Sequence, residues 1–127
     1  PWTMHGNDLT PLLQAPDADW PHTTLMPFTT DKFGADCDTV PQPPNNRHKS
    51  GIPWYLMVAD GRYKYIRTLE AGEPEELYDL EDDPEELKNL ALHPDYRAKT
   101  LELRAATIAE LERTGAKMVG SLPPVKE

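Results

Sequence analysis

The sequence has one cysteine, Cys37, among its 127 residues. A single cysteine can neither close an internal disulfide nor build a zinc cluster by itself. Long apolar runs are also missing, which predicts no membrane-spanning segment and no membrane partner. Positive charge is scarce, since 13 Lys and Arg stand against 22 Asp and Glu and give a net charge of -9. Such a charge disfavours nucleic acid as a partner.

Motifs for catalysis are missing as well. The chain has no Gly-rich phosphate loop, no G-x-S-x-G elbow and no H-E-x-x-H pair. The histidines stand at unrelated spacings, at His5, His22, His48 and His93. The acidic run over residues 70–86 lacks the D-x-D-x-D-G spacing of a calcium loop. We therefore expect no catalytic residue, no metal ligand and no cofactor in this chain.

Proline is abundant and apolar residues are sparse. Fourteen prolines, 38% hydrophobic residues and a mean hydropathy of -0.68 favour a loop-rich unit with a small core. We expect one unit over residues 1–127 that packs against a larger partner, and a small domain that folds alone is the alternative. Within it, sheet and helices occupy residues 21–115, and residues 116–127 form an extended tail.

The pattern predicts an α+β fold, in which a small antiparallel sheet of about four strands packs against a long C-terminal helix. The strand candidates are residues 23–29, 54–58, 63–67 and 76–80. A long loop at residues 30–52 separates the first two strands.

Single residues refine this pattern. Pro27 predicts that the first strand lies at an edge of the sheet. Asp60-Gly61 predicts a type I′ hairpin turn between the second and third strands, because both central residues of that turn have positive φ. In the fourth strand we expect Tyr78 and Leu80 to face the core.

Two helices are predicted in the C-terminal half. Residues 83–86, D-P-E-E, combine a capping carboxylate, a proline at the first helical position and a glutamate three residues after the cap. They predict a short helix that continues through Leu87 and Leu90. A long helix over residues 94–114 follows and stops at Gly115. Its predicted apolar stripe is Leu101, Ala105, Ile108 and Leu111.

Basic side chains are concentrated in the long loop and on the hairpin. The hairpin group is Arg62, Lys64 and Arg67. In the loop, Arg47, His48 and Lys49 are the candidates for contact with an anionic ligand, because guanidinium and ammonium groups bind its oxygens well. Trp54 follows the loop and is a candidate for stacking on a sugar or aryl group. Ordinary surface ion pairs, and a core position for Trp54, are the alternatives.

Three segments resemble one family in order and spacing. Residues 4–13, M-H-G-N-D-L-T-P-L-L, resemble the end of the catalytic domain of many bacterial sulfatases. Residues 58–67, V-A-D-G-R-Y-K-Y-I-R, resemble their C-terminal hairpin. Residues 76–91 are similar to their signature E-L-Y-D-L-x-x-D-P-x-E-x-x-N-L-A. The chain thus resembles the C-terminal subdomain of formylglycine-dependent type I sulfatases of the alkaline phosphatase superfamily, and residues 1–20 would end the connection from the catalytic domain.

The resemblance implies a parent enzyme that hydrolyses a sulfate ester with calcium and formylglycine, both held by an N-terminal catalytic domain in the same chain or in trans. Cys37 stands in C-D-T-V-P rather than in the family's C/S-x-P/A-x-R motif, so we expect the isolated chain to be inactive. This part would complete the fold and line the cleft for a sulfated substrate with Arg47, His48, Lys49 and Trp54. The alternatives are a free-standing regulatory or interaction subunit and the same part of a phosphodiester or phosphonate ester hydrolase.

Overall fold

Four antiparallel strands form one sheet in the order in which they occur along the chain. The structure is a computed structural model and describes residues 5–126, so Met4 of the first motif and Glu127 of the predicted tail lie outside it. The strands are β1 (Thr24–Phe28), β2 (Tyr55–Ala59), β3 (Tyr63–Thr68) and β4 (Glu76–Asp79). The helices are α1 (Thr10–Gln14) and α2 (Arg97–Arg113), with 3-10 helices at Gly34–Cys37, Pro94–Tyr96 and Lys117–Ser121. The predicted α+β fold is confirmed.

The inner face of the sheet carries the core and lies under α2. Side chains alternate between the two faces of a strand, so every second residue points inward. The fully buried members of this face are Trp54, Leu56, Val58, Tyr65 and Leu77. Leu103 and Leu111 of α2 pack on them. β1 lies at the edge, as Pro27 predicts. No helix within residues 5–126 is long and apolar enough to span a membrane.

β4 turns the opposite face to the core from the one predicted. Leu77 and Asp79 are buried, whereas Tyr78 and Leu80 are half-buried, so the prediction that Tyr78 and Leu80 face the core is wrong. The register explains the difference, because Leu77 pairs with Tyr65, which is itself on the inner face. A one-residue slip would exchange the two faces of the strand.

The hairpin between β2 and β3 uses another turn than the predicted one. Asp60 donates its N–H to the carbonyl of Tyr63 at 3.1 Å, which makes Gly61 and Arg62 the central residues. Only Gly61 of these four has a positive φ, +100°, which matches the Gly-first pattern of a type II′ turn. The type I′ prediction is therefore wrong. The Asp60 carboxylate accepts the N–H groups of Arg62 and Tyr63 at 3.1 and 2.7 Å instead.

Residues 83–90 form a turn at residues 84–85 followed by irregular backbone, rather than the predicted short helix. Asp83 does cap, but its carboxylate accepts the N–H of Lys88, five residues on, at 2.8 Å. Glu86 has a φ of +57°, in the left-handed region that an α-helix excludes. The Asn89 amide donates to the carbonyl of Glu75 at 3.0 Å, and its oxygen accepts the N–H of Leu77 at 3.1 Å. This anchorage holds the segment along the sheet.

α2 buries a different stripe from the predicted one. Its buried residues are Thr100, Leu103, Thr107 and Leu111. Leu101 and Ala105 are exposed and Ile108 is half-buried, so only Leu111 was assigned correctly. The hydroxyls of Thr100 and Thr107 donate to the carbonyls four residues earlier, at 3.1 and 2.8 Å. With those hydroxyls satisfied, the threonine methyl groups can pack like apolar side chains.

The C-terminal segment completes the core. The prediction of an extended tail over residues 116–127 is wrong at Lys117–Ser121, which forms a 3-10 helix, and Met118 of this helix is only 5% exposed. Further along, the carbonyl of Pro123 accepts a hydrogen bond from Arg67 Nη2 at 2.7 Å. This segment is therefore part of the packed unit.

Gly115 ends α2 as predicted, with a φ of +74°. The N–H of Gly115 donates to the carbonyl of Glu112 at 3.0 Å, and the N–H of Ala116 donates to that of Leu111 at 2.9 Å, which is the Schellman arrangement. We expect Gly115→Ala to lower the free energy of unfolding by about 1 kcal/mol, because a Cβ is unfavourable in the left-handed region. Urea unfolding measures this loss.

Gly120→Ala is the matched control for that substitution. An added Cβ meets nothing within 4 Å at Gly115 or at Gly120, but only Gly115 has a positive φ. The Gly120 variant should be unchanged or slightly more stable, because alanine restricts the unfolded chain. Equal urea midpoints for the two variants would show that backbone strain is not the cause.

Candidate functional site

Three of the four sequence candidates, Arg47, His48 and Lys49, lie on a turn closed at residues 47 and 53, which we call the 47–53 loop, and the fourth, Trp54, directly follows it. Arg47 and Pro53 face each other as an antiparallel bridge. Inside it, the N–H of His48 donates to the carbonyl of Ile52 and the N–H of Gly51 to that of His48, both at 2.8 Å. Gly51 has a φ of +87°, which permits the reversal of the chain. The tip of the loop therefore has a defined backbone.

Two fully buried residues hold the base of the 47–53 loop. The N–H of Trp54 donates to the carbonyl of Asn46 at 2.7 Å, and the Asn46 amide donates to the carbonyl of Leu69 at 2.9 Å. The N–H of Leu69 donates to the carbonyl of Trp54 at 2.7 Å. Asn46 and Trp54 are both 0% exposed. The Trp54 ring lies in the core of this chain, where it anchors the loop.

The side chains of the 47–53 loop differ in availability. Arg47 donates to the Glu70 carboxylate from Nε at 2.9 Å and from Nη2 at 2.5 Å, and this bonding raises the pKa of Arg47. Lys49 is exposed, and no carboxylate within residues 5–126 lies within 4 Å of its ammonium. His48 is exposed, and its Nδ1 accepts the N–H of Ser50 at 3.2 Å. His48 and Lys49 are thus open to a ligand.

The basic residues of the hairpin form ion pairs or hydrogen bonds with other residues of this chain. Arg62 binds the buried Asp79 carboxylate at 2.6 to 3.1 Å, and this bonding lowers the pKa of Asp79. Lys64 forms an ion pair with Glu86. Arg67 is 8% exposed and is directed into the protein. None of the three presents a free cation at the surface.

A buried ionic cluster joins the sheet to α2, and no local sequence signal marks it. Glu75 is 5% exposed, and its carboxylate accepts two hydrogen bonds from Arg104, at 2.8 and 2.5 Å. The Tyr65 hydroxyl donates to the same carboxylate. Burial and this carboxylate together raise the pKa of Tyr65 well above its usual range, so the hydroxyl stays protonated. The cluster is interior and structural.

The described residues do not fit the calcium and formylglycine centre that the resemblance implies for a parent enzyme. Among residues 5–126, no three His, Cys, Asp or Glu side chains are grouped so that they could hold a metal ion. Cys37 is half-buried at the end of the 3-10 helix Gly34–Cys37 and packs against the core.

No protein-family model matches the sequence. Over 49 residues, it is 53% identical to the Delta 4,5-hexuronate-2-O-sulfatase of Bacteroides thetaiotaomicron, a segment that is 39% of this chain and 10% of that protein. A crystal structure of a protein of Bacteroides thetaiotaomicron assigned as a sulfatase is similar with a TM-score of 0.50 and 36% identity, over 57% of this chain and 16% of the other.

Two further structures cover more of the chain. The phosphonate monoester hydrolase of Agrobacterium radiobacter has a TM-score of 0.59 and 26% identity, over 87% of this chain and 21% of its own. A protein solved with its substrate D-glucosamine-2-N,6-O-disulfate has a TM-score of 0.67 over 94% of this chain and 22% of its own, and at 18% identity it shares the fold. The chain spans less than a quarter of the length of each of these relatives.

Proposed function

We propose that the chain is related to the sulfatases of the alkaline phosphatase superfamily and forms the C-terminal part of a larger sulfuric ester hydrolase. The observation that carries the proposal is the 53% identity to a sulfatase over 49 residues. The N-terminal catalytic domain, in the same chain or in trans, would supply calcium and formylglycine. The small share of each relative that the chain spans supports such a partner.

In this proposal the chain completes the fold of the enzyme and lines part of its substrate cleft. The 47–53 loop presents Lys49 and His48 to the sulfate oxygens of the substrate, because charged donors bind such oxygens in strong hydrogen bonds. Arg47 holds the side of the loop through Glu70. Trp54 acts as the buried anchor that fixes the direction of the loop.

A second candidate is the same part of a phosphonate or phosphodiester hydrolase. It is favoured by the 26% identity to a phosphonate monoester hydrolase over 87% of this chain. The oxygens of a sulfate ester and of a phosphonate ester are similar hydrogen-bond acceptors, so the loop suits both. Assays of the full-length protein together with its catalytic domain, in the same chain or in trans, with 4-nitrophenyl sulfate and with a 4-nitrophenyl phosphonate ester, separate the two. Faster turnover of the phosphonate ester would favour the second candidate.

We expect Lys49→Ala in the enzyme completed by its catalytic domain to lower kcat/KM for its sulfated substrate about tenfold, mainly through KM, because it removes a charged contact to the bound substrate. Sulfate release at varied substrate concentration measures the change. Lys88→Ala is the matched control, since Lys88 is also exposed but lies in the irregular segment after β4. Equal kinetics in the two variants would show that the loop does not contact the substrate. Failure of the unmodified protein to release sulfate would contradict the sulfatase assignment.

A further inference from the structure

A tight turn at the tip of the loop fixes the position of His48. The N–H of Gly51 donates to the carbonyl of His48 at 2.8 Å, which makes Lys49 and Ser50 the central residues of the turn. The N–H of His48 donates to the carbonyl of Ile52, also at 2.8 Å. Both backbone groups of His48 are therefore held, and the turn brings Ser50 back beside the imidazole.

The imidazole of His48 contacts Ser50 through one of its two nitrogens. Nδ1 accepts the backbone N–H of Ser50 at 3.2 Å and lies 2.8 Å from the Ser50 hydroxyl oxygen. A backbone N–H can only donate, so Nδ1 offers its lone pair and carries no proton. The neutral imidazole has one N–H, which therefore lies on Nε2. The hydroxyl can donate to Nδ1 in this tautomer, so the Ser50 side chain stabilises the same form.

The other ring nitrogen, Nε2, is available to a ligand. His48 is exposed, and Nε2 has no hydrogen-bond partner among residues 5–126. In the Nε2–H tautomer this atom donates a hydrogen bond and has no free lone pair. An oxygen that only accepts, such as a sulfate oxygen, suits it. A hydroxyl or water that must lose a proton does not, so the neutral ring supports the role of a donor and not that of a general base.

We propose that Ser50 is a positioning residue that holds His48 as its Nε2–H tautomer, so that His48 donates a hydrogen bond to an oxygen of the substrate. This inference rests on the proposed function and deepens it. Lys49 stands between the two residues and supplies a charge on a flexible stem. His48 supplies a donor in a fixed position, and a donor that is already ordered loses less entropy when the substrate binds.

Nitrogen-15 NMR of the histidine-labelled enzyme, completed by its catalytic domain, identifies the tautomer. The His48 signals are assigned by their loss in His48→Gln, at about pH 8.5, where unperturbed histidines are neutral. We expect a protonated Nε2 and an unprotonated Nδ1. Ser50→Ala should add a visible fraction of the Nδ1–H form, and Ser50→Thr, which keeps a hydroxyl, should restore the original spectrum. A protonated Nδ1 in the unmodified enzyme would overturn the inference, and an unchanged spectrum in Ser50→Ala would overturn the role of the Ser50 side chain.

Two substitutions of His48 separate the roles of its ring nitrogens in kinetics. A glutamine amide can place an N–H donor near the position of Nε2, whereas the shorter asparagine amide reaches only that of Nδ1. We expect His48→Asn to lower kcat/KM for sulfate release about fivefold through KM, as for the loss of one uncharged hydrogen bond, and His48→Gln to lower it less than about twofold.

Equal losses in the two His48 variants, or a fall in kcat in both, would overturn the donor role. The second result is the one that a general base would give. An active enzyme with a protonated Nδ1 rejects only this inference. An enzyme that releases no sulfate rejects the sulfatase assignment and with it the contact from His48 to a sulfate oxygen, whatever the tautomer in the NMR spectrum.

Discussion

Glu75→Gln is expected to lower the free energy of unfolding by about 3 kcal/mol, because it leaves the half-buried Arg104 guanidinium without its counter-charge. The Glu75 side chain is 6% exposed and that of Arg104 is 20% exposed. The access of Arg104 to water places the effect at the lower end of the range for broken buried pairs. Glutamine keeps the size of the side chain, so the loss reports charge and hydrogen bonding rather than a cavity. Urea unfolding followed by circular dichroism measures it.

Glu110→Gln is the matched control for this prediction. Glu110 also binds an arginine of α2, Arg113, at 2.8 Å, but the Arg113 side chain is 46% exposed. Exposed pairs of this kind contribute less than about 1 kcal/mol. The double variant Glu75→Leu with Arg104→Met should recover much of the lost stability, since apolar replacement of both partners removes the uncompensated charge. Equal losses in the Glu75 and Glu110 variants would contradict a role for burial.

The strands and the hairpin could be predicted from the sequence because local composition determines them. β2 and β3 are rich in aromatic and aliphatic residues, and a glycine marks the turn between them. The face of β4 could not be predicted in this way. Leu77 and Tyr78 are both good candidates for a core, and the choice depends on a partner 17 residues away, Arg62, which binds Asp79 and lets that carboxylate lie inward.

The failed helix at residues 83–90 has a similar cause. Its capping pattern is a local signal, but tertiary contacts outweigh local propensity. Asn89 bonds the backbone beside β4, and the ion pair from Lys64 holds Glu86, which has a left-handed backbone. Both contacts join residues that are distant in sequence, so local patterns do not reveal them.

The sequence predicts where the 47–53 loop lies along the chain, but it does not predict which residues its side chains contact. The basic run Arg47-His48-Lys49 is visible in the sequence, and these three residues are exposed in the structure. The pairing of Arg47 with Glu70 spans 23 residues, and so does the bond from Asn46 to Leu69. Side-chain contacts of this range depend on the register of the sheet, and only the three-dimensional structure defines them.

Trp54→Ala is expected to lower the free energy of unfolding by about 3–5 kcal/mol, the range for loss of a large aromatic side chain from a core. Trp54 is 0% exposed and packs with Leu56, Leu69, Leu111 and Met118. Typical domains have only about 5–15 kcal/mol of stability, so this single change would consume a large share of it. The cavity lies beside the base of the 47–53 loop, so the N–H groups of His48 and Gly51 should also exchange hydrogen faster. Urea unfolding and hydrogen exchange measure the two effects.

Trp54→Phe separates the volume of the side chain from its indole N–H. The Nε1 atom of Trp54 is buried without a hydrogen-bond partner among the described residues, and an unsatisfied buried donor costs about 1–3 kcal/mol. Phenylalanine removes that donor while it keeps most of the apolar contact, so the loss should stay below about 1.5 kcal/mol. A Phe variant as unstable as the Ala variant would mean that the indole N–H contributes a bond of its own. If the loop N–H groups exchange hydrogen faster in the Ala variant but not in the Phe variant, the volume of the ring stabilises the loop.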